Sequence, residues 1–218
     1  MPPYPPSKRL HTSPTPWVLP ADTQLWRVHT RRHPATDFNP TPRDRPSGGG
    51  RFDGGTAGDA YPYAYLAMSQ ETALTEKLVR GLPFGDRQVR FLPRAEVRDQ
   101  LITAVESVGD LTLLDLRSTR ALAMIGQDEW LVQCDSREYP YTREWASWLR
   151  GQLPWAQGFV WRSKRDTEGT ALILFGDRCP EKALRPGPTA PIELDTTAGA
   201  AWLRTTLRPY RVTIRDPR

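Results

Sequence analysis

Four side chains in this sequence could do chemistry: Arg27 within an apolar segment, Arg51 in a glycine-rich run, Tyr65 just ahead of a helical pattern, and Glu76 inside that pattern. A guanidinium fork meets a phosphate or pyrophosphate with paired hydrogen bonds. A phenol ring attracts a cationic ring through its face. A carboxylate can stabilise positive charge that develops in a transition state. At 100° per residue Ala73, Glu76 and Val79 form one row along a helix, which sets the Glu76 carboxylate among apolar neighbours. A half-buried carboxylate needs a partner or a task. Spacing alone is also met by an ordinary exposed glutamate on a helix flank, the commoner case.

The run Gly48-Gly49-Gly50-Arg51-Phe52-Asp53-Gly54-Gly55 lets backbone N–H groups approach an anion, and Arg51 adds donors of its own. No Gly-Lys-Ser/Thr follows, so it is not a phosphate-binding Walker loop. Neither a strand directly before it nor a helix directly after it supports a dinucleotide fingerprint. Taken alone, the run reads equally as a surface loop. Arg27 reads either as an inward charge or as an edge-strand arginine facing water. Tyr61, Tyr63 and Tyr65 alternate with the period of a strand and share a face. Ser163 ends the apolar run Phe159-Val160-Trp161-Arg162, and it lacks the Gly-x-Ser-x-Gly setting of a nucleophile.

The elements that must position these groups follow from periodicity and punctuation. Gln24 to Thr30 reads as a strand, as does Tyr63 to Ala67. Ser69 suits the N-cap of a helix from about Gln70 to Arg80, stopped by Gly81. Val89 to Leu92 and Leu111 to Leu116 read as strands. Arg94 to Val108 is predicted to be an amphipathic helix, with Val97, Leu101, Val105 and Val108 on one stripe. Shorter helices are predicted at Thr119 to Ile125, Tyr141 to Gln152 and Thr197 to Leu207. Phe159 to Ser163 and Ala171 to Phe175 form a hairpin around Lys164–Thr170. Residues 31–59 read as one long loop, a length that is usually functional or disordered. Strands and helices alternate irregularly, which predicts an α+β fold.

Length and composition exclude several classes. A chain of 218 residues fits one domain with tails. Two cysteines, Cys134 and Cys179, and three histidines, all near the start, support neither a disulfide framework nor a zinc site, so no metal is expected. No apolar run is long enough to cross a bilayer, and the start lacks the apolar stretch of a secretory signal, which reads as a cytoplasmic chain without a membrane partner. The formal charge is +5, and only four of the 30 basic residues are lysines. That arginine bias suits phosphate-bearing partners, although an arginine-rich proteome accounts for it as well.

In order, Leu25-Trp26-Arg27-Val28, Gly49-Gly50-Arg51-Phe52-Asp53 and the stretch from Tyr65 to Glu76 resemble the RES domain. So do Tyr141-Thr142-Arg143-Glu144-Trp145-Ala146 and Gly158-Phe159-Val160-Trp161-Arg162-Ser163. The resemblance covers about residues 22–180. It leaves a flexible proline-rich leader at 1–21 and a C-terminal extension at 181–218 with a helix and a strand. It implies a compact α+β domain similar to the ADP-ribosyltransferase fold, with split mixed sheets flanked by helices. It also implies a toxin of a toxin–antitoxin pair that consumes NAD⁺ as substrate, partnered by a helix-turn-helix antitoxin. Characterised members cleave the nicotinamide–ribose bond and pass the ADP-ribosyl group to water, phosphate or protein. By that likeness Glu76, Arg27 and Ser163 are catalytic, and Gly50, Arg51, Phe52 and Tyr65 bind NAD⁺. The glycine run departs from the family pattern at Phe52-Asp53, where an aspartate would repel a pyrophosphate unless it turns away or binds ribose. The alternatives are a basic nucleic-acid-binding or ribonuclease toxin, and a non-catalytic interaction domain. No nucleic-acid motif or well-placed histidine supports the former, so direct nucleic-acid binding is not expected.

Overall fold

The computed structural model describes residues 5, 9–43, 48–55 and 59–214. Its strands in chain order are β1 (Pro16–Leu19), β2 (Gln24–Thr30), β3 (Tyr63–Ala67), β4 (Arg90–Leu92), β5 (Gln100–Ser107), β6 (Leu111–Asp115), β7 (Gly158–Arg162), β8 (Thr170–Phe175), β9 (Leu184–Pro186), β10 (Ile192–Glu193) and β11 (Val212–Ile214). The α-helices are α1 (Gln70–Leu74), α2 (Thr119–Ala123), α3 (Trp130–Gln133), α4 (Tyr139–Gln152) and α5 (Thr197–Leu207). A nine-stranded mixed sheet runs β1-β6-β7-β8-β3-β2-β5-β10, with β9 also on β5, while β4 and β11 form a separate parallel pair. Within the large sheet β6 and β7 are parallel and the other described pairs antiparallel. Strands β2 and β3 share a single pair, Trp26 with Ala67. The sheet is therefore nearly divided there into two halves; the α+β class is the one the order of elements predicts, and the near-split is what the resemblance implies.

Three apolar clusters hold these layers. One contains Leu25 and Val105 from the β2–β5 half and Leu66, Leu113, Val160 and Leu172 from the other, so it joins the halves. A second sets α4, through Trp145 and Leu149, against Phe159, Trp161 and Phe175. The third sets α1 and α5, through Leu74 and Leu203, against Ala67 and Ile102.

Several elements match their predicted bounds, among them β2, β3 and α5. The helix expected over Arg94 to Val108 does not form. A 3₁₀ turn covers Arg94–Val97, and Gln100–Ser107 is β5, paired along its length with β2. The four-residue spacing of Val97, Leu101, Val105 and Val108 imitates a helix stripe. It arises because a central strand buried on both faces shows no clean alternation. Asp99, at φ 57°, breaks the chain between the two. The leader expected to be flexible through residue 21 is ordered at its end, because Trp17-Val18-Leu19 supply β1 and pair with β6; residues 1–4 and 6–8 of that leader lie outside the described residues. The extension from residue 181 builds core as well, since β9 and β10 pair with β5, and Leu203, Leu207 and Val212 are buried. Its last residues, 215–218, lie outside the described residues.

Because Leu203 is fully buried between α5 and the sheet, Leu203→Ala is expected to cost about 2–5 kcal/mol of stability. Urea unfolding checks this; a loss under about 0.5 kcal/mol, typical of a surface site, would show the extension to be peripheral.

Candidate active site

The site is organised around β3. The glycine run precedes it, α1 follows it, and the β7–β8 hairpin pairs with it. Ser69 caps α1, its hydroxyl accepting from the Thr72 amide at 3.1 Å. The helix then widens into a π-turn over Thr75–Val79 that carries Glu76. Such single-turn expansions are energetically poor and occur often at functional sites. Ala73 and Val79 are buried and Glu76 is half-buried between them, as the helix row predicts. Its Oε1 accepts the main-chain N–H of Lys164 at 3.2 Å. Ser163, the preceding residue, is fully buried; its Oγ accepts from the Arg165 amide at 3.3 Å. Glu76 and Ser163 thus meet at the β7–β8 turn. Asp166 of that turn accepts from the Thr72 hydroxyl at 2.6 Å. Burial first, and then the neighbouring Asp166 carboxylate, push the phenol of Tyr210 in the extension up to about 12.

The glycine run folds back on its own aspartate. Asp53 is buried; its Oδ2 accepts the Gly50 N–H at 2.7 Å and its Oδ1 accepts the Tyr65 hydroxyl at 2.8 Å. Tyr65 in turn accepts the Phe52 N–H at 2.8 Å. The aspartate that departs from the family pattern therefore turns away from any anion and ties the loop to β3. Glycine is required at position 50, where a Cβ would meet the Tyr65 hydroxyl and, at 2.5 Å, Asp53 Oδ1. Arg143 of α4 closes the loop from outside. Its Nε donates to the Gly50 carbonyl at 3.1 Å, its Nη1 to the Arg43 carbonyl at 3.2 Å, and its Nη2 to the Gly48 carbonyl. Phe52 is fully buried, edge-on to Phe159 at 5.4 Å and Trp161 at 5.3 Å, so its role in the fold is to anchor the loop in the core.

Arg51 is 1% exposed, yet no carboxylate pairs with it among the described residues. Its Nη1 reaches the carbonyls of Leu131 and Cys134, both at 3.4 Å, and the Cys134 sulfur at 3.1 Å. Its Nε and Nη2 have no hydrogen-bond partner among the described residues. The guanidinium lies 5.0 Å from the Tyr139 ring centre, and that of Arg80 lies 4.9 Å from it. The Tyr139 hydroxyl, also buried and unpartnered, is held neutral above its ordinary range by burial, with Arg51 and Arg80 opposing and Glu76 reinforcing. Tyr139 and Cys134 border a cavity of about 340 Å³, lined also by Arg80, Arg137, Arg165 and Asp135. The one acid there is answered by Lys164 Nζ at 2.6 Å, which holds the Asp135 carboxyl below its usual range.

The structure thus joins Gly50, Arg51, Phe52 and Tyr65 in one loop cluster, stacks Arg51 on Tyr139, and sets Glu76 on the Lys164 amide next to Ser163. Arg27 stands apart from them. Trp26 and Val28 face the α1 side of the sheet, so alternation turns Arg27 to the opposite face, beside Thr103. There its Nη1 donates to the Ala35 carbonyl at 2.8 Å and to that of Asp37. Burial lowers its pKa to about 10, with Asp37 opposing. The sequence reading missed Arg80, Tyr139, Arg143 and Arg165. Arg80 had a signal, since it lies four residues after Glu76 on the same helical row; the others depend on pairings across the fold.

The RES domain matches residues 24–197, and the chain belongs to the RES domain family. That match runs past residue 180 through β9 and β10. Among solved structures, a chain of the M. tuberculosis MbcT–MbcA toxin–antitoxin complex is similar in fold, with a TM-score of 0.56 and 16% identity, covering 81% of this chain and 86% of that one. No curated protein matches the sequence.

Burial raises the phenols of Tyr65 and Tyr139 well above or above their ordinary value of 10.0. They stay neutral when folded but ionise in the unfolded chain. Stability is therefore fully present below about pH 10 and falls as pH rises above it. Tyr65→Phe also strips Asp53 and the Phe52 amide of a partner, at a cost of about 1–3 kcal/mol. Thermal denaturation across pH 8–11 is expected to show a lower midpoint for that variant at pH 8 and a shallower alkaline decline.

Proposed function

We propose that this protein is the toxin of a toxin–antitoxin pair and cleaves the nicotinamide–ribose bond of NAD⁺. The reading is carried by a fully buried guanidinium, Arg51, with two nitrogens unpartnered among the described residues, stacked on Tyr139 at the border of an arginine-lined cavity. Membership of the RES family and the fold of a chain from a toxin–antitoxin complex support it.

Arg80 and Arg165 would hold the dinucleotide's pyrophosphate, because a guanidinium fork fits two phosphoryl oxygens. The unpartnered nitrogens of Arg51 would gain acceptors, or a stronger local field, when the substrate's oxygens enter. Nicotinamide leaves as a neutral molecule and needs no acid. Positive charge then builds on the ribose, and the Glu76 carboxylate would stabilise it. The Lys164 N–H on Oε1 fixes which way that carboxylate points. Tyr65, with its hydroxyl held by Asp53 and Phe52, presents a ring that cannot rotate away. The partner, by the same reading, is a helix-turn-helix antitoxin and the compartment the cytoplasm. Transfer of the ADP-ribosyl group to water, phosphate or a protein shares this first step.

Purified protein incubated with NAD⁺ is expected to release nicotinamide, followed by chromatography. Glu76→Gln should lower kcat by about 100-fold or more while changing KM little, since the carboxylate acts chiefly in the transition state. Intact NAD⁺ with the folded parent chain would overturn the reading. Equal loss in KM and none in kcat would move Glu76 from catalysis to binding.

A further inference from the structure

The turn that supplies the partner of Glu76 is held by more than its own hairpin. Between β7 and β8 the chain reverses over residues 163–169. The Ser163 N–H donates to the Gly169 carbonyl at 3.1 Å, and the Gly169 N–H to the Asp166 carbonyl at 2.8 Å. Three bonds then tie this reversal to the helix that follows β3. Thr72 donates its hydroxyl to Asp166 Oδ2 at 2.6 Å. The Lys164 N–H donates to Glu76 Oε1 at 3.2 Å, and Arg165 Nε to the Arg80 carbonyl at 3.0 Å. Three successive turn residues thus meet positions 72, 76 and 80, spaced by four residues along the helix.

The Thr72–Asp166 bond is the stiffest of the three. Thr72 is fully buried, and its β-branched side chain has few rotamers to choose from. It has one hydroxyl proton and gives it to the carboxylate, so the Ser69 hydroxyl, 2.8 Å away, must donate to Thr72. Ser69 in turn accepts the Thr72 N–H at 3.1 Å. A directed chain therefore runs from the helix cap through Thr72 to the turn. It ends in a short bond to a carboxylate, the stronger kind. Glycine is required at position 169, where a Cβ would run into the Thr72 hydroxyl and the Asp166 carboxylate, so turn and helix touch there. The Lys164 amide belongs to the main chain, and how the turn sits on the helix decides where it points.

We infer that Thr72 and Asp166 are positioning residues for the Glu76 carboxylate. Their bond clamps the β7–β8 turn onto the helix and thereby sets the Lys164 amide that aims Oε1. The task of Glu76 rests on the proposed NAD⁺ cleavage; the clamp itself does not. Neither residue has to touch substrate, because a catalytic group misplaced by about 1 Å can lose on the order of 100-fold in rate.

Two measurements on the full chain test this. Amide exchange followed by NMR reads the clamp without substrate. The Lys164 N–H is expected to exchange about tenfold faster in Asp166→Ala and in Thr72→Val, which keeps the shape of threonine without its hydroxyl, and near the parent rate in Thr72→Ser. Nicotinamide release reads the consequence. Thr72→Val and Asp166→Ala should each lower kcat about tenfold or more with KM within about twofold, while Thr72→Ser stays within about threefold of the parent. In a Glu76→Gln background the same two substitutions should cost less than about twofold, because the group they position no longer acts. An equal loss of kcat in that background, an equal loss in Thr72→Ser and Thr72→Val, or unchanged exchange at Lys164 would overturn the inference. Asp166 is half-buried in a turn, so Asp166→Ala decides the matter even if Thr72→Val unfolds. A parent chain that spares NAD⁺ while Lys164 exchange responds as expected would overturn the cleavage reading alone and leave the clamp standing.

Discussion

A buried guanidinium, Arg51, that no carboxylate among the described residues answers is the constraint that shapes this molecule. Taking a charge out of water costs several kcal/mol unless dipoles or ions replace the lost hydration. Arg51 finds only distant carbonyls, a thiol and the face of Tyr139. The surroundings are arranged to hold it there anyway. Thr142 donates its hydroxyl to the Arg51 carbonyl at 2.6 Å, Phe52 plugs the core next to it, and Arg143 grips the loop at three carbonyls. A loop rich in glycine, with little preference for one conformation, is made rigid by its neighbours.

Asp53 shows how the same constraint settles a question of sign. A carboxylate two residues from Arg51 is the obvious counter-charge, yet it binds Gly50 and Tyr65 instead. Had it paired with Arg51, the guanidinium would be neutralised and of little use to an anion. Turned toward Tyr65, the carboxylate orders the loop and leaves the positive charge unanswered. Arg80, Arg137 and Arg165 line the neighbouring cavity and add to that charge, which favours anions there.

Much of this was legible in the chain. Leu25, Trp26 and Val28 marked β2, the alternation of Tyr61, Tyr63 and Tyr65 marked β3, and Ser69 with Gly81 bracketed the helix that carries Glu76. Local signals of that sort need only a few neighbouring residues. What failed was non-local. Strand β5 looked helical because burial on both faces erased its alternation. Arg27 could be assigned to a strand but not to one of its faces, which depends on what packs above Trp26 and Val28. The partner of Asp53 lies twelve residues on, and Arg150, buried at 2% between Asp59 and Asp177, joins residues far apart in sequence. The π-turn has no composition of its own; it appears where packing asks one more residue of a helix than its pitch supplies.

Strand β3 explains why so few residues hold so much of the site. Tyr65 anchors the glycine loop from within the strand, and Ser69, four residues later, starts the helix that carries Glu76. Strand β8 pairs with β3 along its whole length and ends the hairpin whose turn supplies the Lys164 amide. Loop, carboxylate and turn are therefore fixed to one five-residue element, and relative motion among them requires breaking its ladder. The near-division of the sheet falls on the other side of β3, at its single pair with β2. The helix that carries Glu76 spans this division, since Leu74 and Val79 pack against Ala67 of β3 and against Trp26 and Ile102 of the other half.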